Sequence, residues 1–357
     1  MKRLHGWSVV AVLAVLLAAG CGGGKKEEAA GSAEAKAVKG GKLFIYNWTY
    51  YIPDDVVKAY EKETGVTVVY DVFASNEEMF AKLKAGGSGY DMTFPSGDYV
   101  SIMISEGMLE KIDKAKVPNF ANIDPEVLKK IAFDKGPEYS VPYMIGAAGI
   151  SVNKKQVKTY DKSWSIFGRK DLKGRMTMLD DMREVLGAAL KSLGYSVNSR
   201  NPDELAQAKK IVQGWRDTIM KFDAESFAKG FAAEEFFVVQ GYAENVFLEL
   251  DEAKKADVDF FIPREGGPMY MDSMVILKDA KNKDLAYDFI NFIHRPDIYA
   301  MIVDYLMLPS INTKARELVK VKPNYTYEDL ANCEFKEDLG KDVELYDKIW
   351  QEIRVGK

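Results

Sequence analysis

The chain has 357 residues, with 49 Lys and Arg against 54 Asp and Glu, a formal charge of −5, and 47% apolar residues. Setting aside the first forty residues leaves 317, enough for two domains with full cores. The negative charge argues against a phosphate-binding, nucleic-acid surface, which needs a basic excess, and is compatible with a cationic partner.

Residues 1–20 read as an export leader, a lipoprotein signal peptide. Lys2 and Arg3 form its charged start, and residues 9–17 (VVAVLAVLL) are an apolar run too short to cross a bilayer. Ala18-Ala19-Gly20-Cys21 follows, a run of small residues ending in Cys that resembles the lipobox of bacterial lipoproteins, with Ala18 where such motifs usually carry Leu. The resemblance implies that Cys21 is acylated and anchors the chain to a bacterial cell membrane. The alternative is an ordinary secretory signal with an incidental Cys. Only Val38 is large and apolar between Cys21 and Leu43, so residues 21–40 read as a flexible, solvated tether. Cys333 then has no intrachain partner and reads as a small, partly buried side chain.

Beyond the tether, strand and helix patterns alternate. Residues 43–46 (LFIY) are a short apolar run typical of a buried strand. Pro53 opens a helix over residues 54–62 that Gly65 closes. Residues 66–72 are a β-branched strand, and Ser75 with Glu78 forms a capping box opening a helix that ends at Gly86-Gly87. Residues 91–94 are the next strand and 99–106 the next helix. Residues 146–153 (GAAGISVN) read as one strand of small residues suited to a crossover between lobes. Residues 175–179 form a strand and 183–192 a helix, and Asn201-Pro202-Asp203 starts a helix to about residue 220. Residues 258–263 and 274–277 are strands. A helix over 285–293 ends at Pro296, and a last helix covers 343–353. This alternation predicts an α/β fold with largely parallel sheets covered by helices.

Enzyme signatures are scarce. The chain beyond the leader has one histidine, His294, placed before Arg295-Pro296 at a helix end, where a capping or surface role is expected. A zinc site is starved of ligands, and neither a GxxxxGK[ST] loop nor a GxGxxG turn occurs. Ser226-Phe227-Ala228-Lys229 matches SxxK without its companion motifs. No catalytic residue, metal or cofactor is implied.

Aromatic and acidic residues instead gather at strand ends: Asn47-Trp48-Thr49-Tyr50-Tyr51, Pro95-Ser96-Gly97-Asp98-Tyr99, Asp180-Asp181-Met182-Arg183-Glu184, and Tyr270-Met271-Asp272-Ser273. In open parallel sheets a ligand lies outside the carboxyl ends of the strands, where these segments fall. Carboxylates pair an ammonium and aromatic faces cover its methylenes, so the combination suits an alkyl ammonium carrying more than one charge. Each residue also has a plain structural reading: Trp48 and Tyr51 as core aromatics, Asp181 and Glu184 as helix-capping acids.

These residues carry a family resemblance. The run Tyr46-Asn47-Trp48-Thr49-Tyr50-Tyr51-Ile52-Pro53 is similar to the opening of the periplasmic spermidine/putrescine-binding proteins of ABC transporters. Also similar are Lys62-Glu63-Thr64-Gly65-Val66, Ser75-Asn76-Glu77-Glu78-Met79, Tyr90-Asp91-Met92-Thr93-Phe94-Pro95-Ser96, Asp180 through Val185, and Glu265-Gly266-Gly267 leading to Met271-Asp272-Ser273. The resemblance implies a two-lobed periplasmic-binding-protein fold of type II, each lobe a mostly parallel sheet flanked by helices, with the ligand in the interlobe cleft. One lobe would hold residues 41–147 plus 272–308, the other 149–270 plus 310–357. Trp48, Thr49, Tyr51 and Ser96 would line the cleft from the first lobe, Asp181 and Glu184 from the second. Asp272 would be the central carboxylate, with Tyr270 at a position often held by Trp. The family pattern is departed from at Asp98, where Tyr is usual, at Gln240, where a Trp is replaced with Tyr242 close by, at Leu308 for a Tyr, and at Lys336 for a Gln.

The implied role is capture of spermidine or putrescine by cleft closure, as a monomeric, periplasmic lipoprotein delivering to an inner-membrane permease. The rival readings are another solute on the same fold, an amino acid or iron, and a surface lipoprotein with no transport role. An amino-acid binder needs an Arg for the α-carboxylate, and the cleft segments offer only Arg183, flanked by acids. An iron binder clusters tyrosines, and Tyr325 and Tyr327 lie in a polar stretch.

Overall fold

The computed structural model describes residues 40–86 and 89–356, so the leader, Cys21 and the tether up to residue 39 lie outside the described residues. The apolar run after the tether forms β1 (Gly41–Trp48), which pairs in parallel with β2 (Val66–Phe73), Gly41 against Val66 through Trp48 against Phe73. Between them α1 (Asp54–Thr64) begins after Pro53 with acids in its first turn and stops at Gly65, whose φ of 72° an L side chain rarely adopts. α2 (Asn76–Lys84) is capped by Ser75, whose Oγ accepts from the Glu78 amide at 3.1 Å. Glu78 returns its carboxylate to the Ala74 amide rather than to that of the cap residue.

β3 (Met92–Thr93), α3 (Gly97–Ser105), α4 (Pro125–Leu128) and β4 (Ser140–Ala147) follow. β5 (Gly149–Asn153), β6 (Met176–Met178), α5 (Met182–Ser192), α6 (Pro202–Arg216) and β7 (Lys221–Phe222) come next. Then come α7 (Phe227–Ala232), β8 (Val238–Gly241), α8 (Ala243–Glu249), α9 (Glu252–Lys255) and β9 (Val258–Phe261). The chain finishes with β10 (Pro268–Ile276), α10 (Lys283–Ile293), α11 (Pro296–Leu306), β11 (Glu334–Phe335) and α12 (Val343–Arg354).

The strands form two sheets. The first runs β11-β10-β3-β1-β2 with β4 also on β10, and the second runs β7-β6-β8-β5-β9. Both are mixed. Every antiparallel ladder among the described residues involves β5 or β10, which follow directly on strands or loops of the other sheet. A chain arriving from the other sheet enters from the opposite end, so its direction reverses relative to the local βαβ strands. Each sheet has its own core: Leu43, Ile45, Phe94, Met144 and Ile290 belong to the first, and Ile150, Met176, Leu186, Trp215 and Tyr346 to the second.

Three expectations change. The strand read over residues 146–153 is two strands meeting at the buried Ala148, one in each sheet. Pro296 does end α10, but it also occupies the first turn of α11, where its missing amide costs nothing. His294 is the C-cap of α10 yet is fully buried, stacked on Tyr299 with ring centroids 5.6 Å apart. Burial holds its pKa down to about 4, so it is a neutral packing residue rather than a surface one.

Candidate functional site

The site is built around one strand irregularity. β10 is buried along all nine residues and pairs antiparallel with β4, but the register shifts between Asp272 and Ser273, which face Met144 and Pro142. Tyr143 is thus an extra residue on β4, beside a proline that lacks a ladder donor. At this bulge Asp272 accepts from the Ser96 hydroxyl at 2.6 Å and from the Tyr51 hydroxyl at 2.7 Å. Ser96, just before α3, is fixed in turn by Asn76, which donates to its Oγ and accepts from its amide. Tyr51 follows a turn in which Tyr50 adopts φ 61°, and its carbonyl accepts from the Tyr143 hydroxyl. Burial raises the Asp272 pKa to about 7, against the opposing pull of the Ser96 and Tyr51 hydrogen bonds and of the Lys336 charge.

The second wall is the start of α5. Asp181 caps the helix, accepting from the amides of Arg183 and Glu184. Glu184 is fully buried and accepts from the Lys336 ammonium at 2.7 Å. The Tyr242 hydroxyl leans on the same carboxylate, and the Gln240 side chain donates to the Glu184 carbonyl at 3.3 Å. Burial alone would lower the Lys336 pKa, but Glu184, Asp181 and Asp98 outweigh it and raise it, so the ammonium stays charged. Asp98, in the first turn of α3, is raised by burial and held back by Lys336 and Arg183.

Beside these groups lies a cavity of about 10 Å³ lined by Ser96, Gly97, Asp98, Tyr270 and Lys336 among others, room for roughly one water. A larger open hollow of about 680 Å³ lies elsewhere, along Glu110, Lys116, Lys283 and Asp284. Four of its charges pair with one another, Lys116 with Asp284 and Lys283 with Glu110, and it is an open surface hollow with no buried carboxylate of the kind found at Asp272.

Residues 55–329 match the model of the bacterial extracellular solute-binding protein family. The chain belongs to that family. It is 35% identical over 337 residues to the spermidine/putrescine-binding periplasmic protein of Escherichia coli K12, covering 92% of this chain and 96% of that one. It is also 35% identical over 297 residues to the putrescine-binding periplasmic protein of the same strain, covering 78% and 80%. Among solved structures, the TpPotD lipoprotein of Treponema pallidum superposes with a TM-score of 0.86 at 50% identity, covering 88% of this chain and 99% of that one. The substrate-binding protein PotD of Streptococcus pneumoniae gives 0.78 at 30% identity, covering 88% and 98%. The fold is the two-lobed type II fold of periplasmic binding proteins.

In this solute-binding protein the structure brings Tyr51, Ser96 and Asp272 into direct contact, and Asp181, Glu184 and Gln240 into a second group, with Asp98 facing Lys336. Trp48 is half-buried on the flank, its Nε1 donating to the Phe94 carbonyl and its ring against Phe73. Thr49 is exposed. Tyr270 packs edge-on against Tyr242 with centroids 5.7 Å apart. Arg183 turns outward, giving Nη1 to the Glu337 carbonyl and Nη2 to Asn198, which leaves the amino-acid reading without its carboxylate partner. Tyr325 is 3% exposed and packs into the first core, not in a polar loop as its sequence neighbours imply.

One residue, Glu244, lies outside the sequence reading, and Lys336 has a larger part than expected. Lys336 stands out there only as a departure from the family pattern, whereas here it is the central cation of the second wall. Glu244, in the first turn of α8, is 7% exposed, and its carboxylate accepts from the Tyr270 hydroxyl at 3.4 Å and from its own backbone amide. No strand was legible before it, since residues 238–241 carry only four strand positions, so nothing in the sequence placed it near Asp272.

Proposed function

We propose that this chain captures a polyamine, spermidine or putrescine, between its two lobes and delivers it to the permease of an ABC importer. The observation that carries the reading is Asp272: a buried carboxylate, positioned by two hydroxyls, with no ion pair to any described residue. An ammonium ion donates to such a group and restores the solvation that burial removed. Trp48, Tyr51, Tyr242 and Tyr270 supply aromatic surface for the methylenes between amines. Thr49, Ser96 and Asp98 belong with Asp272 on one wall, and Asp181, Glu184 and Gln240 form the other.

A cavity near the size of one water does not admit an alkyl chain, so the walls part before the ligand enters. The ligand then favours the closed form only by contacting both walls, because a shift in that equilibrium equals the difference in affinity for the two states. The lobes taken to move are 41–147 with 272–308 and 149–270 with 310–357. The role is transport and not catalysis, in a monomer held at the bacterial membrane, on its periplasmic side, by a lipid on Cys21.

Titration calorimetry tests this on the purified chain, refolded to strip bound ligand, against spermidine, putrescine, cadaverine, lysine and glutamate. One-to-one binding of a polyamine, lost in Asp272→Asn, is the expected result. A folded protein that gives no heat with any amine overturns the polyamine assignment.

A further inference from the structure

The carboxylates of the cleft differ in what already neutralises them. The ammonium of Lys336 lies 2.7 Å from Glu184, and its charge is also held by Asp181 and Asp98. The chain therefore supplies its own cation to the α5 wall. Asp272 and Glu244 form no ion pair with a described residue.

Glu244 is the odder of the two. A buried carboxylate without a cation or several strong donors is costly to ionise. Burial duly raises its pKa to about 7, with the Asp272 charge pushing the same way. Its surroundings are polar and aromatic. The Tyr270 hydroxyl reaches its Oε1, and the Tyr325 hydroxyl, buried and donating to no acceptor, has its acidity weakened by burial and then by the Glu244 charge. Both hydroxyls converge on Gly146, where a Cβ would stand 2.4 Å from the Tyr270 oxygen and 2.6 Å from the Tyr325 oxygen. Tyr242 links the two halves of the cleft: after burial, the charges acting on its hydroxyl are those of Glu184, Asp181, Asp272 and Glu244. The charges of four carboxylates thus act on one phenol; Glu184 is paired with Lys336 and Asp272 feels its charge, whereas no cation among the described residues acts on Glu244.

We propose that Glu244, with the hydroxyls of Tyr270 and Tyr325, is an ammonium-binding station of this cleft, so that a bound diamine spans Asp272 and Glu244 rather than Asp272 and Glu184. The α5 wall then contributes shape and closure around an internal ion pair, while the ligand's second charge turns towards α8. This rests on the polyamine reading for the ligand's identity but not for the chemistry of Glu244.

The test compares wild type, Glu244→Gln and Glu184→Gln by titration with putrescine and spermidine, each variant checked for folding by thermal unfolding. Glu244→Gln is isosteric, removes an unmatched buried charge and is expected to fold at least as stably as wild type. It should weaken putrescine binding about tenfold or more, and by more than Glu184→Gln does. A folded Glu244→Gln protein that binds putrescine within about twofold of wild type overturns the station, as does a larger loss in Glu184→Gln. Methylammonium chloride, compared with sodium chloride at equal ionic strength, gives an arm independent of polyamines. If wild type binds no polyamine but is stabilised against heat by methylammonium more than Glu244→Gln is, the polyamine reading falls and the station stands. Equal stabilisation of the two overturns the station.

Discussion

Lys336 donates to Glu184 at 2.7 Å with the two side chains only 10% and 0% exposed, so one of the buried carboxylates is served by the chain's own ammonium. Lys336→Met leaves Glu184 buried and alone. Removing one member of a buried pair typically costs about 3–5 kcal/mol, and the lower end is expected because Glu184 can take up a proton. Calorimetric unfolding should show this loss without ligand. Added putrescine should raise the Tm of the variant by more than that of wild type, because a free ammonium can fill the vacated place.

Asp272 is held by two hydroxyls and no cation, and its loss removes a charge-assisted bond to the ligand. Asp272→Asn is expected to raise the Kd for a diamine about a hundredfold, and Ser96→Ala about tenfold. Thermal unfolding should show the unliganded Asp272→Asn protein no less stable than wild type, since an amide there is not penalised by burial as a carboxylate is.

The pH dependence follows from the same groups. Asp272 and Glu244 have folded pKa values of about 7, above their ordinary 3.8 and 4.5. A carboxyl with a raised folded pKa favours folding fully at pH below its ordinary value, and that contribution is lost as pH rises through about 7. His294 works oppositely: its folded pKa of about 4 lies below 6.5, so its contribution is present above 6.5 and is lost as pH falls towards 4. With two such carboxyls set against one histidine, these groups make unliganded stability fall as pH rises from about 4 to about 7, and Asp272→Asn should flatten that fall. Amine affinity should climb across the window where stability falls, because the ammonium selects the ionised carboxylates. Titrations in buffers of differing ionisation heat should show protons released on binding below about pH 7.

Gly146 is the point where Tyr270 and Tyr325 approach the β4 backbone. A Cβ there would meet the Tyr270 oxygen at 2.4 Å, so Gly146→Ala must push the ring aside. A destabilisation of about 1–3 kcal/mol is expected, together with weaker amine binding. An unchanged Tm and Kd would show that the two phenols are free to shift.

The elements legible in the sequence are those with strong local signals. β1 and β2 are apolar runs, α1 and α2 have Pro, Ser and Gly punctuation, and each was found within a few residues of its bounds. β10 was read only from Met274, because Pro268, Asp272 and Ser273 are poor strand formers; its start is imposed by pairing with β4 and burial on both faces. α11 is not legible because Pro296 reads in the sequence only as a stop, not as the first residue of a new helix. Within the site, Ser96 is legible from its position after β3, whereas Asp272, expected just before a strand, lies within β10 at the bulge. Their contact joins residues 176 apart in sequence and depends on a bulge at Tyr143. Glu244 is not legible, since it reaches the cleft from a short element with little periodicity of its own, and Lys336 is placed at the pocket only by the family resemblance, not by any local pattern.

β4 ends at Ala147 and β5 begins at Gly149, so on this path one buried alanine separates the two sheets. A linker that short has almost no slack. Rotating one lobe against the other is therefore confined to a few backbone dihedrals, and little chain disorder is lost when the lobes shut. The same ribbon holds Met144 opposite Asp272, so the strand that joins the two sheets is also paired with the central carboxylate. On the function proposed above, a permease docking on the outside would read whether the cleft is filled from the angle between the sheets, without touching the ligand.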